Sequence, residues 1–367
     1  MSGMLRTAVD GLEGVVAAET VLSEVDGEAG RLVIRGRSLD ELASWTFEDV
    51  VGLLWAGFFE DLPADLTRDL GAARSQVFNE TAGLDAGLLR RSPIEAMRAL
   101  TARLADGDDL ATALRLVAAP AVFTAAVLRA QKDCPPVRPD PKLGHAADIL
   151  RMLRGSPASA AEIATLDTYL VTVADHGLNA STFAARVTAS TRAGLTSAVL
   201  SGLSALKGPL HGGAPGPVIE MLDGVGSPAN ARAWLEGALD RGDRLMGFGH
   251  RVYKVRDPRA DALKRAVRSL ARASNTPPAR LMLAEAVEAA ALEVLSERKP
   301  TRSLQTNVEL YTALLLEALS FPPSVFTCVF AMGRVAGWVA HAREQLAGGR
   351  LIRPQSRYVG PAPRAAA

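Results

Sequence analysis

The chain has 367 residues, 48% hydrophobic and 22% charged, with a formal net charge of +1 at pH 7. That allows a large core and more than one compact unit, and it provides no global field that would draw the chain to nucleic acid or to an anionic membrane. Its two cysteines, Cys134 and Cys328, form no CxxC pair. They suggest neither a metal framework nor a disulfide scaffold, and a reducing, cytoplasmic setting is expected.

The first residues, MSGMLRTAVDGLEG, lack the apolar run of a signal peptide. No window approaches roughly 18 uninterrupted apolar residues, so no membrane span is expected. Alanine and leucine dominate and aromatics make up 5%, so helix formers outweigh strand formers. TVLSEV and RLVIRG flank the turn DGEAG and predict a small hairpin near the N-terminus. SLDE at 38–41 reads as a capping box, and SPIE at 92–95 repeats it with proline at the first helical position. SPAN at 227–230 and DPRA at 257–260 read as cap-then-proline starts. Apolar spacing predicts helices over 47–58, 94–104, 160–174, 183–203, 260–272, 281–295, 308–319 and 325–346. KDCPPVRPDPK at 132–142 reads as a connecting loop. Glycine-rich junctions at 208–217 and 242–249 bracket material, from 218 to about 305, that could form a separate unit. The expected fold class is mainly α, with a minor β element near the N-terminus.

The stretch LMGFGHRVYKVRDPR at 245–259 sets His250 after G-x-G and among a cluster of cations. Glycines there let backbone approach a ligand. Arg259 falls in the first turn of the helix that Asp257 and Pro258 begin, where the helix dipole opposes a cation. The position makes sense if a carboxylate or phosphate lies between the guanidinium and the backbone N–H groups. In KGPLHGGAPGPVIEML, His211 precedes two glycines, with a helix expected from Pro217; His176 lies in ADHGLNASTFAARV. Three of the five histidines therefore sit in Gly- or Asn-marked turns, which favours an enzyme. Glu309, in LQTNVELYTALLL, allows two readings: with Thr306 it forms T-x-x-E, a capping box, or its carboxylate points into a cleft. Arg334 lies in the apolar run FAMGRVAGWVAHAREQL and must find a partner or a cleft, and Arg353 lies in RLIRPQSRYVG. Converging arginine forks would suit a di- or tricarboxylate.

Taken in order, RLVIRGRSLDELA, SWTFEDVVGLLWAGFFEDLP, ADHGLNASTFAARV, LHGGA, LMGFGHRVYK with DPRA, NVELY and GRVAGWVAHAREQL with RLIRP resemble the citrate synthase family over most of the chain. The resemblance implies a nearly all-α fold with a large domain of residues 1–217 and 318–367 and a small domain of residues 218–317. It implies an active site in the cleft between them, and a homodimer. It also implies an acyltransferase of the tricarboxylic acid cycle that condenses acetyl-CoA with oxaloacetate and hydrolyses the product to citrate and CoA. His211 would bond the thioester carbonyl oxygen, His250 would protonate the ketone oxygen, and Glu309 would be the base. His176, Arg259, Arg334 and Arg353 would hold the oxaloacetate carboxylates, Arg353 from the partner subunit. Leu210, Gly247, Gly249 and Lys254 would lie along the CoA site. No metal or redox cofactor is implied, because the coenzyme A thioester is itself a substrate.

The chain departs from the family in its N-V-E-L-Y-T-A, where N-V-D-F-Y-S-G is usual. Glu309 is longer than aspartate by one methylene, and Leu310 and Ala313 replace an aromatic and a glycine. A shift of about 1 Å in a catalytic oxygen can cost roughly a hundredfold in rate. Two alternatives follow: a 2-methylcitrate synthase using propionyl-CoA, or a weakly active paralogue that binds CoA or a dicarboxylate as a regulator or partner subunit.

Overall fold

The structure is a computed structural model that describes residues 10–12, 14–212, 215–250, 252–253, 255–273 and 279–361. Ser23–Asp26 (β1) and Arg31–Ile34 (β2) form the expected hairpin, with Ser23 opposite Ile34 and Asp26 opposite Arg31. Arg37–Ser38 (β3) adds a short third strand. Helices follow in the order Leu39–Leu42 (α1), Phe47–Trp55 (α2), Thr67–Phe78 (α3), Ala86–Leu89 (α4), Pro93–Thr101 (α5), Leu110–Ala130 (α6), His145–Arg154 (α7) and Ala160–Ala174 (α8). The second half contributes Ala180–Ser190 (α9), Leu195–Leu206 (α10), Pro215–Val225 (α11), Ala231–Asp240 (α12), Pro258–Ala273 (α13), Ala279–Arg298 (α14), Val308–Ala318 (α15) and Phe326–Gly348 (α16).

Side-chain caps fix many of the starts. Thr46 and Asp49 close a full capping box on α2, as Ser159 and Glu162 do on α8, each cap contributing about 1 kcal/mol. Ser38 caps α1, but Glu41 does not complete the expected box and pairs with Arg37 instead, and Ser92 bonds the Glu95 carboxylate and leaves the backbone of α5 without a side-chain cap. SPAN forms only the 3₁₀ turn Pro228–Asn230 ahead of α12. The helix expected from Pro217 begins two residues earlier, at Pro215.

The single helix expected over 183–203 is two antiparallel neighbours, α9 and α10. Arg192 and Gly194 take φ of +63° and +94° between them, and the Asp106 carboxylate accepts the Thr196 and Ser197 N–H groups at 2.7 and 3.1 Å. The apolar spacing stays in phase across that turn, so periodicity does not reveal it. Helix α6 is absent from the expected set for the opposite reason: it is buried nearly all round, so it has no polar face to mark a period. By length and composition, α6 and the stretch Pro323–Gly348 could each cross a membrane, yet 89% of each apolar window is buried inside the protein. Both are core helices.

Helix α16 packs against α2, α6, α8, α9 and α10, and α13 packs against both α8 and α15. Two glycines set how closely α16 approaches α8. A Cβ at Gly333 would lie 2.7 Å from the Leu170 carbonyl oxygen, and one at Gly337 would lie 2.3 Å from that of Ala174. Gly337→Ala is therefore expected to lower stability in urea unfolding by about 1–3 kcal/mol through overpacking. Gly348→Ala, where a Cβ meets nothing within 4 Å, should leave the midpoint unchanged or raise it. Equal losses from both would contradict this account of the close approach.

Candidate active site

The site is assembled on the loop before α13 and the start of α15. Gly247 and Gly249 have φ of +87° and +79°, a region glycine enters without a Cβ penalty. Their twist lets the loop run beside residues 305–307. The Gly249 N–H donates to the Gln305 carbonyl at 2.7 Å and the Asn307 N–H to the Gly247 carbonyl at 3.0 Å. The Asn307 side-chain amide adds a bond to the Gly249 carbonyl at 2.8 Å. His250 therefore leaves a loop tied to the helix that carries Glu309.

The tautomer of His250 follows from its partners. The backbone N–H groups of Val252 and Tyr253 both donate to Nδ1 at 3.0 Å, so that nitrogen is bare and the proton sits on Nε2. Arg259 places a guanidinium nitrogen 3.2 Å from Nε2. Two donors thus face one spot, which suits a shared acceptor oxygen. Burial, then the Arg259 charge, push the His250 pKa down to about 4.

His176 follows the same logic. The Asn179 oxygen accepts the Ser181 and Thr182 N–H groups at 3.1 Å, which turns its amide nitrogen toward His176 Nδ1 at 3.2 Å. The proton of His176 therefore sits on Nε2. Burial holds its pKa well below the ordinary histidine value, aided by Arg259, Arg334, His250 and His211. Arg259, Arg334, His250 and His211 therefore all lie close enough to His176 to act on its charge. His211 places Nε2 2.7 Å from the Ser181 hydroxyl, and Trp338 donates to that same oxygen at 3.2 Å. The Ser181 hydroxyl also lies 2.8 Å from the Asn179 oxygen, its other acceptor; when its proton turns to His211 Nε2, Nδ1–H is left as a donor. Burial, then Arg334, push the His211 pKa down to about 4.

A carboxylate does lie between Arg259 and the helix N–H groups, and it is the protein's own Asp257. Asp257 Oδ1 accepts the Arg259 backbone N–H and Nε–H at 3.0 Å, and Oδ2 accepts the terminal nitrogen at 2.8 Å and the Val308 N–H at 3.2 Å. Arg259 is thereby fixed and α13 is joined to α15. Arg334 has no exposed surface. Its Nε donates to the Val173 carbonyl at 2.6 Å, and both terminal nitrogens lack a partner among the described residues. Burial pushes its pKa down to about 10, against the opposing pull of Asp175.

Glu309 is half-buried in the first turn of α15, and the capping-box reading of Thr306 fails. The cap is Asn307, whose oxygen accepts the Glu309 N–H at 2.9 Å, and the Thr306 hydroxyl has no partner among the described residues. The Glu309 carboxylate is therefore not used as a cap. Burial raises its pKa, with Arg244 and Arg259 opposing.

The remaining predicted positions are spread more widely. Leu210 is fully exposed beside His211, and Lys254 lies outside the described residues. Arg353 is not brought to the cluster within the chain. It is exposed in the tail after α16, where the Ile352 N–H bonds Ser190 at 3.1 Å. Ser190 ends α9, eleven residues from its start beside Asn179, or about 16 Å away at 1.5 Å per residue. Sequence reasoning missed Asp257 as the Arg259 clamp, Asn307, Ser181 and Tyr253. The Tyr253 ring packs 4.9 Å from that of His250, and its buried hydroxyl lacks a partner among the described residues. Each of these four lies inside a stretch already notable for its histidine or glutamate. Among the described residues no group of three His, Cys, Asp or Glu is arranged to hold a metal ion.

The depressed histidines predict the acid response. Their folded pKa values lie below the ordinary value near 6.5, so the unfolded chain takes up protons first as pH falls. Above pH 6.5 these groups leave stability unchanged, and stability is lost as pH drops from 6.5 toward about 4. The Tm of the ligand-free protein should fall over that window, and should fall less in His250→Gln, which cannot titrate there. An identical fall in the variant would contradict burial of a neutral His250.

Residues 11–355 match the family model for the citrate synthase C-terminal domain. The chain is 39% identical to a citrate synthase of Haloferax volcanii, covering 98% of this chain and 97% of that protein. It is 35% identical to a 2-methylcitrate synthase of Mycobacterium tuberculosis, covering 95% and 90%. Among solved structures it is similar to a citrate synthase of Thermoplasma acidophilum in ternary complex with carboxymethyl coenzyme A and oxaloacetate, with a TM-score of 0.83, 28% identity and 97% of each chain covered. A family match of that span, with relatives alike from end to end, makes this chain a member of the citrate synthase family.

Proposed function

We propose that the protein condenses acetyl-CoA with oxaloacetate and hydrolyses the citryl-CoA intermediate to citrate and CoA. The observation that carries this reading is the buried Arg334, whose two terminal nitrogens lack a partner among the described residues and whose charge acts on the neutral His176 and His211, with the clamped Arg259 beside His250. Such a set of donors fits a small keto dicarboxylate: carboxylates on the arginines and His176, ketone oxygen on His250 Nε2.

In the first step Glu309 takes a proton from the acetyl methyl group. The thioester oxygen gains charge and is met by His211 Nδ1–H, a donor of a kind worth about 10²–10³ in rate. The raised pKa of Glu309 makes it a stronger base than an exposed carboxylate. The enol carbon then attacks the ketone carbon, and the ketone oxygen takes the proton from His250 Nε2. The Arg259 guanidinium beside that nitrogen stabilises the imidazolate left when the neutral ring gives up its proton. Water then cleaves the thioester. In this reading residues 218–317 close on the remainder to exclude water, strengthening each of these contacts. CoA runs along Leu210, Gly247, Gly249 and Lys254. The protein works as a homodimer in the cytoplasm, with the partner subunit's Arg353 completing the carboxylate site and no resident cofactor.

A second reading, condensation of propionyl-CoA to 2-methylcitrate, draws on the 35% identical relative and on Leu310 and Ala313, both fully buried beside Glu309. One methylene in a pocket is worth only about 1–3 kcal/mol of discrimination, so kinetics decide. Thiol release should show kcat/KM higher for acetyl-CoA than for propionyl-CoA; the reverse order would move the assignment to the second reading. In the same assay Glu309→Gln should lower kcat by about 10²–10⁴, while oxaloacetate still raises the Tm. A Gln variant as fast as the parent would remove Glu309 as the base.

A further inference from the structure

We infer that the turn of the N-terminal hairpin positions His250, with Gly27 as the positioning residue, by bearing on the peptide that joins Val252 to Tyr253. A Cβ built on Gly27 would lie 2.2 Å from the Val252 carbonyl oxygen and 2.8 Å from its carbonyl carbon. Gly27 is not among the residues with positive φ, so its backbone conformation is open to any side chain. Contact with the loop is what excludes one.

The other end of the same peptide is the Tyr253 N–H, which donates to His250 Nδ1 at 3.0 Å. In a trans peptide the carbonyl oxygen and the N–H point in opposite directions from one rigid plane. The hairpin therefore abuts one end of that plane while the imidazole is held from the other. The Val252 N–H gives the same nitrogen its second bond, also at 3.0 Å. Together these bonds keep Nδ1 bare and the proton on Nε2. Across the turn, a Cβ on Gly30 would lie 2.7 Å from Val255 Cγ2 and 3.2 Å from the Arg256 carbonyl oxygen, so the contact continues along the loop toward Asp257.

The strand leading into the turn holds the second histidine segment. The Ser23 hydroxyl donates to Asp175 Oδ2 at 2.5 Å and accepts the Gly177 N–H at 2.7 Å. These two residues flank His176. One hairpin thus holds the Asp175 side chain and the Gly177 backbone on either side of His176, and abuts the peptide that orients His250, although the two histidines lie in distant parts of the chain. A methyl group at position 27 must displace the peptide by roughly 1 Å, a misplacement that costs on the order of a hundredfold when it reaches a catalytic group. The kinetic part of this inference rests on His250 being the proton donor proposed above; the structural part does not.

The test compares Gly27→Ala with Glu28→Ala, an exposed position in the same turn, in the full-length protein. Side-chain ¹⁵N resonances of His250 in ligand-free, histidine-labelled protein report the tautomer directly, and thiol release reports kcat and KM. Gly27→Ala should move the His250 Nδ1 resonance away from that of a bare acceptor. It should also lower kcat roughly 10–100-fold with a smaller change in KM for acyl-CoA, while Glu28→Ala matches the parent in both. A Gly27→Ala protein with the parental His250 spectrum overturns the inference, whatever its rate. A changed spectrum with parental kcat upholds the positioning and removes His250 as the proton donor. Should Gly27→Ala weaken the fold, Gly27→Ala/Val252→Gly gives the opposing residue room to yield. In the folded double variant, recovery of the parental spectrum supports the contact, and a spectrum unchanged from that of Gly27→Ala refutes it.

Discussion

Arg334 carries a full positive charge with no exposed surface and with both terminal nitrogens unpaired among the described residues. An isolated buried charge is expensive, and the surrounding structure softens that cost without removing it. Gly333 and Gly337 let α16 close on the end of α8, which brings the Val173 carbonyl to Nε and the Asp175 charge nearby. Asp175 is itself bonded to Ser23 and to His341, both of its oxygens lying 3.2 Å from His341 Nε2. His341 Nδ1 faces the Arg186 guanidinium at 3.0 Å, so Nδ1 must accept and Nε2–H must donate to Asp175. The cation is thus held in place by a polar network that leaves its two outer nitrogens without a partner among the described residues.

The same economy of donors governs the rest of the site. His176, His211 and His250 are all held neutral by burial and by nearby arginines. Neutral imidazoles can offer a proton without adding charge to a cluster that already contains Arg259 and Arg334. Asp257 neutralises Arg259 and, through the Val308 N–H, sets the start of the helix that bears Glu309. Asn307 ties that start to the Gly247–Gly249 loop. The groups proposed to bind the keto acid and to remove the thioester proton are therefore linked by a few short bonds. A displacement at one is transmitted to the other, which is why the contact of the hairpin turn with this loop bears on chemistry.

Much of this was legible in the residues. Capping residues and apolar spacing located most helix starts, and the glycine-flanked histidines marked the segments that converge. What escaped the sequence has identifiable physical causes. The α9–α10 break is invisible because the apolar phase continues across Arg192 and Gly194. Helix α6 is invisible because burial on all sides erases its period. T-x-x-E at 306–309 satisfies the capping pattern, yet Asn307, one residue later, is the better-placed acceptor and takes the cap. Asp257 reads as a helix cap and does accept the Arg259 N–H, but its second duty, the clamp on the Arg259 side chain, depends on side-chain geometry. Gly27 reads as a turn glycine, whereas its contact lies more than two hundred residues away at Val252.

The central claim is that Arg334 is kept buried and under-bonded for a carboxylate of the keto acid. The most direct measurement is calorimetric titration of oxaloacetate into the parent and into Arg334→Gln, each with its ligand-free Tm. Glutamine keeps a donor for the Val173 carbonyl but removes the buried charge. The account predicts that the variant is at least as stable without ligand and binds oxaloacetate on the order of 100-fold more weakly, as expected when charged hydrogen bonds are lost. Unchanged oxaloacetate affinity in a folded Arg334→Gln protein would contradict it.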